Sequence, residues 1–496
     1  MNEQFRVAQK IGLMFHHDTP LPDDIKAWAI SQLHAKSPAL GISTMNPLSK
    51  IGPWPQSLQA NLEDLSKRYI KAMEVEDKVN KSSNPDYDLI SKSDFENYMG
   101  NNDHLKFSHR NIYGKDQVKL RFMAFWTNHF TMAPNTNQTD HVIGHAFENA
   151  ILSNLNNSFA IMLYEVTKHP AMLMYLDNVF SSGQNSQYTI ENQKGGGQAG
   201  LNDNLGRELL ELHTVSPAAK YTESDIRATA NVLSGWGSHL DLTLDEMKKK
   251  YGSNNLWDMF RTDRHEPGNK TVLGKTIYPG KGGLRQLTDF LANHKNTVAH
   301  LSKKLAEHFV SENPSKSDID HIANVWRQSK GNLDKVHTAV IERAILSKEP
   351  KFQWPMTWLF QVLRLSNATY IHGWNEIAGS CNHCPSYEND GSRDYPFMQN
   401  KEIFLEIGQS FWHMRQPNGY SSKKDAWVSG EMFDRRIRFA EAIFNVGNPK
   451  FTSEEIMSRI GAHKSTRNLV KNMGMKEKDK FIALMCSPEL MGLEYV

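Results

Sequence analysis

The chain has 496 residues, of which 39% are hydrophobic, 10% aromatic and 23% charged, a composition typical of folded globular proteins and not of disordered or collagen-like chains. Its formal net charge is +2, so it has no strong overall field to attract nucleic acid or an anionic membrane. No apolar run approaches the roughly 20 residues of a membrane-spanning helix, and we expect neither a nucleic-acid-binding protein nor a membrane span.

Apolar residues recur at spacings of three and four along most of the chain, as in Leu301, Leu305 and Phe309. This spacing places them on one face of a helix, and alternating strand patterns are scarce. The sequence therefore predicts an all-α fold with long loops and few or no strands. Thr222 with Asp225 and Thr452 with Glu455 have the spacing of capping boxes, which predicts helix starts at these two positions. We treat 1–496 as one helical unit with three regions: an N-terminal helical region 1–100, a central motif-bearing region 101–240 and a C-terminal helical region 241–496.

The N-terminal residues form an amphipathic pattern, in which apolar Phe5 and Ile11 alternate with charged Glu3 and Lys10. Such charges interrupt the apolar stretch that a secretory signal peptide requires. With no signal peptide in the chain as given, the expected location is cytoplasmic by default.

A stripe of aromatic side chains is the first candidate cluster. Phe122, Phe125, Trp126 and His129 follow helical spacing, and stripes of this kind are usually part of a core. Asn128 and His129 lie near the expected helix end, where their side chains could orient a substrate or cofactor through hydrogen bonds. Both interpretations stay open.

Two further clusters have spacings that a metal ion could use. His141, His145 and Glu148 fall within a narrow arc of one predicted helix, and two imidazoles with a carboxylate can converge on one ion; a solvated face is the alternative. Cys381 and Cys384 form half of a zinc-site motif, or else a pair of loop thiols or a labile disulfide. Three cysteines in all are too few for a disulfide framework.

Residues 181–200 combine Gly, Ser, Asn and Gln without periodicity, so they predict a long loop. A structureless loop of about 20 residues is uncommon in a compact protein, and it is usually functional or disordered. It precedes an acidic helix, over which it could act as a lid; the alternative is a mobile surface loop.

That acidic helix is predicted over residues 202–213, with Glu208 and Glu211 on one face and leucines on the other. Two neighbouring carboxylates repel unless a metal, an arginine or a shared proton compensates, and such pairs serve acid–base chemistry or bind hard metals. The alternative is that Arg207 pairs with Glu211 at i+4 in a salt-bridged face. His213 falls on the leucine face, which indicates a core histidine.

Several segments, in this order and at these spacings, resemble the bacterial family catalogued as domain of unknown function 1800. The most specific is Arg-Glu-Leu-Leu-Glu-Leu-His-Thr at residues 207–214, and the others lie at residues 125–130, 169–178, 202–206, 221–225, 234–236, 265–268 and 416–419. The resemblance runs almost from end to end. It implies a largely helical fold and transfers no settled activity.

The resemblance places the family's hallmark segments on the carboxylate helix and the aromatic cluster, which favours a functional role for both. The candidate catalytic residues are Glu208, Glu211, His129 and Asn128, and the candidate substrate-binding residues are Asn202, Arg207, Trp126 and His265. Family members are often exported and encoded beside proteins of domain of unknown function 1501. The resemblance therefore allows a periplasmic or extracellular location, where a leader precedes the sequence given, and a partner of that second family.

Two functional hypotheses follow. The first is an enzyme, a hydrolase or lyase acting on a polymer or conjugate, in which Glu208 and Glu211 perform acid–base chemistry or bind a divalent metal, the candidate cofactor. His129 would then be a second proton donor or ligand. Carboxylates that line a pocket together with His129 would favour this hypothesis.

The second hypothesis is a non-catalytic partner or assembly protein. In this case Arg207, Glu208 and Glu211 form a buried salt-bridge network that specifies helix packing. Exposed aromatics near Trp54, Trp412 and Trp427 would supply its binding face. Carboxylates fully buried against arginines would favour this hypothesis.

Overall fold

The computed structural model describes residues 2–15, 20–35, 110–134, 137–237, 259–368, 403–412, 416–472 and 476–494, with residues 62–63, 103–104, 107–108, 245, 248–249, 414 and 474. Helices dominate these residues, which confirms the all-α prediction. The strands within them are short and antiparallel: β1 Trp236–Gly237 pairs with β2 Met259–Phe260, and β3 Lys270–Val272 pairs with β4 Lys275–Ile277.

The helices of the first half carry most of the motifs. They are α1 Glu3–Ile11, α2 Ile25–His34, α3 Gln117–His129, α4 Asn137–His145, α5 Phe159–Thr167, α6 Pro170–Tyr175, α7 Gln187–Lys194, α8 Asn204–Glu211 and α9 Glu223–Leu233. A π-helical segment, Ala146–Ile151, continues α4, and 3-10 turns lie at Leu152–Asn154, Asn178–Phe180 and Pro217–Ala219.

The second half continues in the same way after the short strands. Its helices are α10 Gly283–Ala292, α11 Lys295–Phe309, α12 Lys316–Ser329, α13 Leu333–Leu346, α14 Pro355–Ser366, α15 Gly430–Gly447, α16 Ser453–Ile460, α17 Lys464–Asn472, α18 Glu477–Met485 and α19 Pro488–Met491. A 3-10 turn occupies Lys424–Ala426.

Two helices lie at the centre of the core. Every residue of α14 is buried, and so is every residue of α3 except Lys119. The guanidinium of Arg364 on α14 donates hydrogen bonds to backbone carbonyls, including those of Asn111, Ile112 and Gly114 at 3.1, 2.6 and 3.0 Å. The other polar side chains of α3 are buried with the rest of the helix and need partners inside the protein; Arg121, for example, donates to the Thr357 hydroxyl at 2.8 Å.

Helix starts follow the local sequence. Thr222 with Asp225 and Thr452 with Glu455 form the capping boxes that their spacing predicts. In each, the threonine hydroxyl accepts the N3 amide proton and the carboxylate accepts the N-cap amide proton, so two otherwise unpaired donors are satisfied. These contacts fix where α9 and α16 begin.

The carboxylate helix α8 packs against α9. Gly206 makes this close approach possible, because a Cβ at that position would lie 2.8 Å from the backbone nitrogen of Ala230. The contact fixes the rotation of α8, so Leu205, Leu209 and Leu210 are buried while the opposite face remains accessible.

Residues 181–200 are not a structureless loop, and that prediction is wrong. They contain α7, capped by Ser186, whose hydroxyl accepts the amide proton of Thr189. The segment is also tied down elsewhere, since both oxygens of Glu266 accept hydrogen bonds from Asn185, at 2.9 Å from its backbone and 2.6 Å from its amide. The polar residues of this segment have no clear helical period, so the sequence did not indicate the short helix. Tertiary hydrogen bonds stabilise it.

Candidate functional site

The exposed face of α8 presents two carboxylates one turn apart. The helix starts at Asn204, whose amide donates to the side-chain oxygen of Asn202 at 3.0 Å. Its leucines face the core, and Glu208 and Glu211 are half-buried on the other side. The amphipathic prediction for this helix is therefore confirmed, with the helix shorter at both ends than expected.

Glu208 is the less satisfied of the two carboxylates. Among the described residues its carboxylate oxygens have no hydrogen-bond or ion-pair partner, although the side chain is half-buried. Burial raises the pKa of Glu208 above its ordinary value, the charge of Glu211 adds to the shift, and Arg207 opposes it. The nearby phenol of Tyr175 responds to the same surroundings, since burial and the Glu208 charge raise its pKa to about 12.

Glu211 has a defined partner. The hydroxyl of Tyr221 donates to its Oε2 atom at 3.1 Å. Burial, followed by this hydrogen bond, raises the pKa of the Tyr221 phenol to about 12. The two carboxylates thus have different surroundings: a phenol holds Glu211, and Glu208 has no partner among the described residues.

Arg207 does not pair with Glu211, so the alternative of an i+4 salt bridge is wrong. Its guanidinium forms a two-pronged contact with Glu223 at 3.1 and 3.0 Å, and it lies 3.6 Å from Asp203. The side chain of Glu223 is 71% exposed, and exposed ion pairs contribute little to stability. The tertiary contact between α8 and α9 supplies the competing carboxylate.

His129, the last residue of α3, is buried away from both carboxylates. Its Nδ1 atom lies 3.1 Å from the ammonium of Lys304, and its Nε2 atom lies 3.2 Å from the carbonyl oxygen of His213. Because an ammonium can only donate, Nδ1 accepts and Nε2 carries the proton. Burial, and then the charge of Lys304, lowers the pKa of His129 well below its ordinary value.

Sequence reasoning missed Lys304 and His300, which lie one turn apart on α11. Burial lowers the pKa of the half-buried Lys304 to about 8, while Glu307 opposes the shift. Burial and the charge of Lys304 lower the pKa of His300 to about 4, although a hydrogen bond to the backbone of Leu212 raises it. The i, i+4 spacing was visible in the sequence, but nothing local indicated that this face meets His129.

Asn128 and Trp126 make specific contacts inside the protein. The Asn128 amide forms two hydrogen bonds with the backbone of Tyr420, donating to its oxygen at 3.0 Å and accepting from its nitrogen at 2.7 Å. Trp126 is fully buried and donates its indole N–H to His337 Nε2 at 3.0 Å. The structure places neither residue beside Glu208, and it gives both a packing role.

His265 is also buried, in the turn that precedes β3. Gly280 donates its amide proton to Nε2 at 2.9 Å, so Nδ1 carries the ring proton and donates to the Ser234 carbonyl at 2.7 Å. The ammonium of Lys270 lies 3.3 Å from Nε2. Both ring nitrogens therefore hold three chain segments together.

The predicted metal clusters do not assemble in the described residues. Glu148 binds Arg110 at 2.9 Å, and His145 Nδ1 lies 3.0 Å from His169 Nε2. The side chain of His141, like Cys381 and Cys384, falls outside the described residues. Within the part of the chain that the structure describes, no group of three His, Cys, Asp or Glu residues is arranged to hold a metal ion.

The predicted aromatic binding face is wrong for two of its three members. Trp412 and Trp427 are buried, at 3% and 8% exposure, and Trp54 lies outside the described residues. The indole of Trp427 donates to the carbonyl of Ser421 at 2.8 Å. Large aromatic side chains are buried wherever the fold can cover them, and these two follow that rule.

An open cavity of about 580 Å³ lies at the start of α8, on the side of the 181–200 segment. It is lined by Phe180 and by residues 198–203, which include Asn202 and Asp203. Of the eight candidate site residues, Asn202 is the one that lines this cavity. The carboxylate helix thus begins at an accessible pocket.

Comparison with known proteins gives a family and no closer relative. No curated protein and no solved structure matches this chain. No helix in the described part of the chain combines the length and the apolar character needed to cross a bilayer. A family model described as "Protein of unknown function (DUF1800)" matches residues 21–490, nearly the full length, and the chain belongs to that family.

Proposed function

We propose that this protein is an acid–base enzyme, a hydrolase or lyase acting on a polymer or conjugate, in which Glu208 transfers the proton. This proposal rests on the carboxylate of Glu208. The side chain is half-buried, its pKa is raised, and its oxygens have no partner among the described residues. A general acid or base works best when its pKa lies near the working pH and an oxygen is free to meet the substrate. The pKa of Glu208 is shifted upward, and its carboxylate oxygens have no partner among the described residues.

Glu211 is the second carboxylate of the proposed site. Its charge is the second cause of the raised pKa of Glu208, after burial. The Tyr221 hydroxyl holds one of its oxygens in place, which keeps that charge at a fixed position. Because the two carboxylates lie on one helix and not on opposite walls of a cleft, they do not match the paired arrangement of glycosidases. Glu211 therefore acts on Glu208, and Glu208 acts on the substrate.

His129 positions the end of α8. It donates to the carbonyl of His213, and the His213 amide donates to the Glu208 carbonyl at 3.0 Å. The chain that leaves α8 is thereby fixed to the end of α3. In this proposal His129 is a positioning residue, whereas Asn128 holds Tyr420 and has a structural role.

The test compares wild type with Glu208→Gln on a panel of polysaccharides, esters and peptide conjugates. New reducing ends or free acids report hydrolysis, and an unsaturated, ultraviolet-absorbing product reports elimination. The expected result is a loss of turnover of about 100-fold or more. Glu431→Gln is the matched control, since Glu431 on α15 is a well-exposed glutamate. Equal turnover in wild type and Glu208→Gln would refute the proposal. Metal analysis of the same samples tests whether the carboxylates bind a divalent ion.

A second candidate function, a non-catalytic assembly protein, has its own support. Several candidate site residues form their side-chain hydrogen bonds with other parts of the protein, namely Trp126, Asn128 and His265. Contacts of this kind hold the fold together, which is what an assembly protein requires of its motif residues. Under this function Glu208→Gln would leave every interaction with partners intact.

A further inference from the structure

Phe180 has an unusual position for a large apolar side chain. It is 73% exposed, the highest value among the large hydrophobic residues that the structure describes as exposed. It lines the open cavity at the start of α8. Exposing an aromatic ring forgoes the stabilisation of burial, so a ring kept at the wall of a cavity suggests contact with a ligand.

The backbone around Phe180 is held firmly. The buried side chain of Asn178 donates to the carbonyls of Leu233 and Trp236 at 3.2 and 2.8 Å. The guanidinium of Arg264 donates to the carbonyl of Val179 at 3.2 Å. Because both residues before it are anchored, the exposure of Phe180 is not the fraying of a loose loop.

The other lining residues, 198–203, are hydrogen-bonded to the segment that follows Phe180. Ser182 donates its backbone amide proton to the carbonyl of Gly200 at 2.9 Å, and the backbone amide of Asn202 donates to the Ser181 hydroxyl at 3.1 Å. Both walls of the cavity therefore keep a fixed separation. Such a preformed site loses little conformational entropy when it binds a ligand.

The polar groups of this wall suit hydroxyl groups. The side-chain oxygen of Asn202 accepts from Asn204, while its amide N–H groups have no partner among the described residues. Gln198 is exposed, and the side chain of Asp203 is 42% exposed. Amide donors and a carboxylate acceptor beside an aromatic face can bind the hydroxyls and the C–H face of a sugar ring.

The lining offers no uncompensated charge. Asp203 is the one charged residue among the seven that line the cavity, and its carboxylate lies 3.6 Å from the guanidinium of Arg207. A carboxylate that is paired with an arginine supplies little net charge for an ionic ligand, which favours a neutral one. The cavity is open and not enclosed, so a chain can extend beyond it.

We infer that the Phe180 cavity binds a neutral glycan chain. Phe180 packs against a sugar ring, and Asn202 and Asp203 bind its hydroxyls. This binding site is separate from the proposed acid–base role of Glu208, which does not line the cavity.

Calorimetric titration of the full chain with neutral hexasaccharides of glucose and of mannose tests the site, with hexagalacturonate as the anionic probe. Binding of a neutral hexasaccharide that weakens at least tenfold in Phe180→Ala and in Asn202→Ala is the expected result. Tyr278→Ala is the matched control, because Tyr278 is another aromatic residue with 60% exposure, and it should bind like wild type. Thermal melts check that each variant folds.

Three outcomes would overturn the inference: no neutral hexasaccharide binds, Phe180→Ala binds as tightly as wild type, or hexagalacturonate binds more tightly than the neutral chains. A dimer in wild type that Phe180→Ala converts to a monomer would assign the ring to a protein contact instead.

The Glu208→Gln variant separates this inference from the proposed function. It should bind the neutral chain as tightly as wild type, because Glu208 does not line the cavity. Binding that depends on Phe180 with turnover unaffected by Glu208→Gln would leave the glycan site standing and refute the role of Glu208. Loss of turnover on a substrate other than a glycan, without any neutral chain bound, would do the reverse.

Discussion

The side-chain amide of Asn128 pairs with both backbone polar groups of Tyr420, at 3.0 and 2.7 Å, and so joins two distant family segments. Asn128 lies in the last turn of α3, whereas Tyr420 directly follows the segment at residues 416–419. Gly419 completes the contact with φ +70°, and a Cβ there would lie 2.3 Å from the Asn128 carbonyl oxygen. Two motifs separated by almost three hundred residues are therefore one structural unit.

Asn128→Ala should lower the free energy of unfolding by about 2–4 kcal/mol, because two buried hydrogen bonds are lost and their backbone partners stay unpaired. Urea denaturation measures this change. Asn149→Ala is the control, since Asn149 is exposed and its amide makes one bond to the His145 carbonyl at 3.2 Å. Equal stability of the two variants would contradict the structural role of Asn128.

Glu208→Gln should leave the free energy of unfolding within about 1 kcal/mol of wild type at neutral pH. A raised pKa means that the fold disfavours the charged carboxylate. Its contribution to stability is present below the pKa of the unfolded chain and declines as the pH rises through the folded value. A loss of about 3–5 kcal/mol would instead give Glu208 a structural role, as the assembly hypothesis requires.

Leu209→Ala should destabilise the protein by about 2–5 kcal/mol, since the side chain is fully buried and its removal leaves a cavity. Chemical denaturation measures the loss. The matched control is Leu346→Ala on α13, because Leu346 is 62% exposed, and it should change stability by less than about 0.5 kcal/mol. Similar losses in both variants would mean that α8 does not pack as described.

Buried histidines should make the protein lose stability as the pH falls from about 6.5 towards 4. Burial lowers the pKa of His213 and of His337 to about 3, so both remain neutral in the fold at mildly acidic pH. The unfolded chain takes up protons in this range, and stability therefore rises with pH up to about 6.5 and is lost below it.

Urea denaturation at several pH values should give a slope of up to about 1.4 kcal/mol per pH unit for each such histidine. His337→Gln should reduce the slope, because glutamine does not titrate and its oxygen can still accept the Trp126 indole proton. A slope that is unchanged in this variant would show that His337 titrates normally.

Lys304→Met should raise the pKa of His129, since the Lys304 charge is the largest cause of its lowering after burial. The loss of a donor to Nδ1 also frees that nitrogen to take a proton. The measurement is an NMR titration of the histidine ring signals. Lys303→Met, on the exposed neighbour, should leave His129 unchanged, and an identical titration in the Lys304 variant would contradict the contact.

Elements that depend on local interactions could be predicted from the sequence. Helical spacing of leucines predicted the buried face of α8, and the capping-box spacing at Thr222 and Thr452 predicted two helix starts. These features need only neighbouring residues, because backbone hydrogen bonds and side-chain periodicity are set within a few positions.

Which polar groups contact each other depends on the tertiary structure. Glu223, and not Glu211, binds Arg207, because the packing of α9 on α8 brings a second carboxylate within reach. Lys304 contacts His129 from a helix 175 positions away in the chain, and the cavity beside Phe180 brings together residues from the predicted loop and from the start of the predicted carboxylate helix. Side-chain partners across helices depend on how those helices dock, and local spacing carries no information about docking.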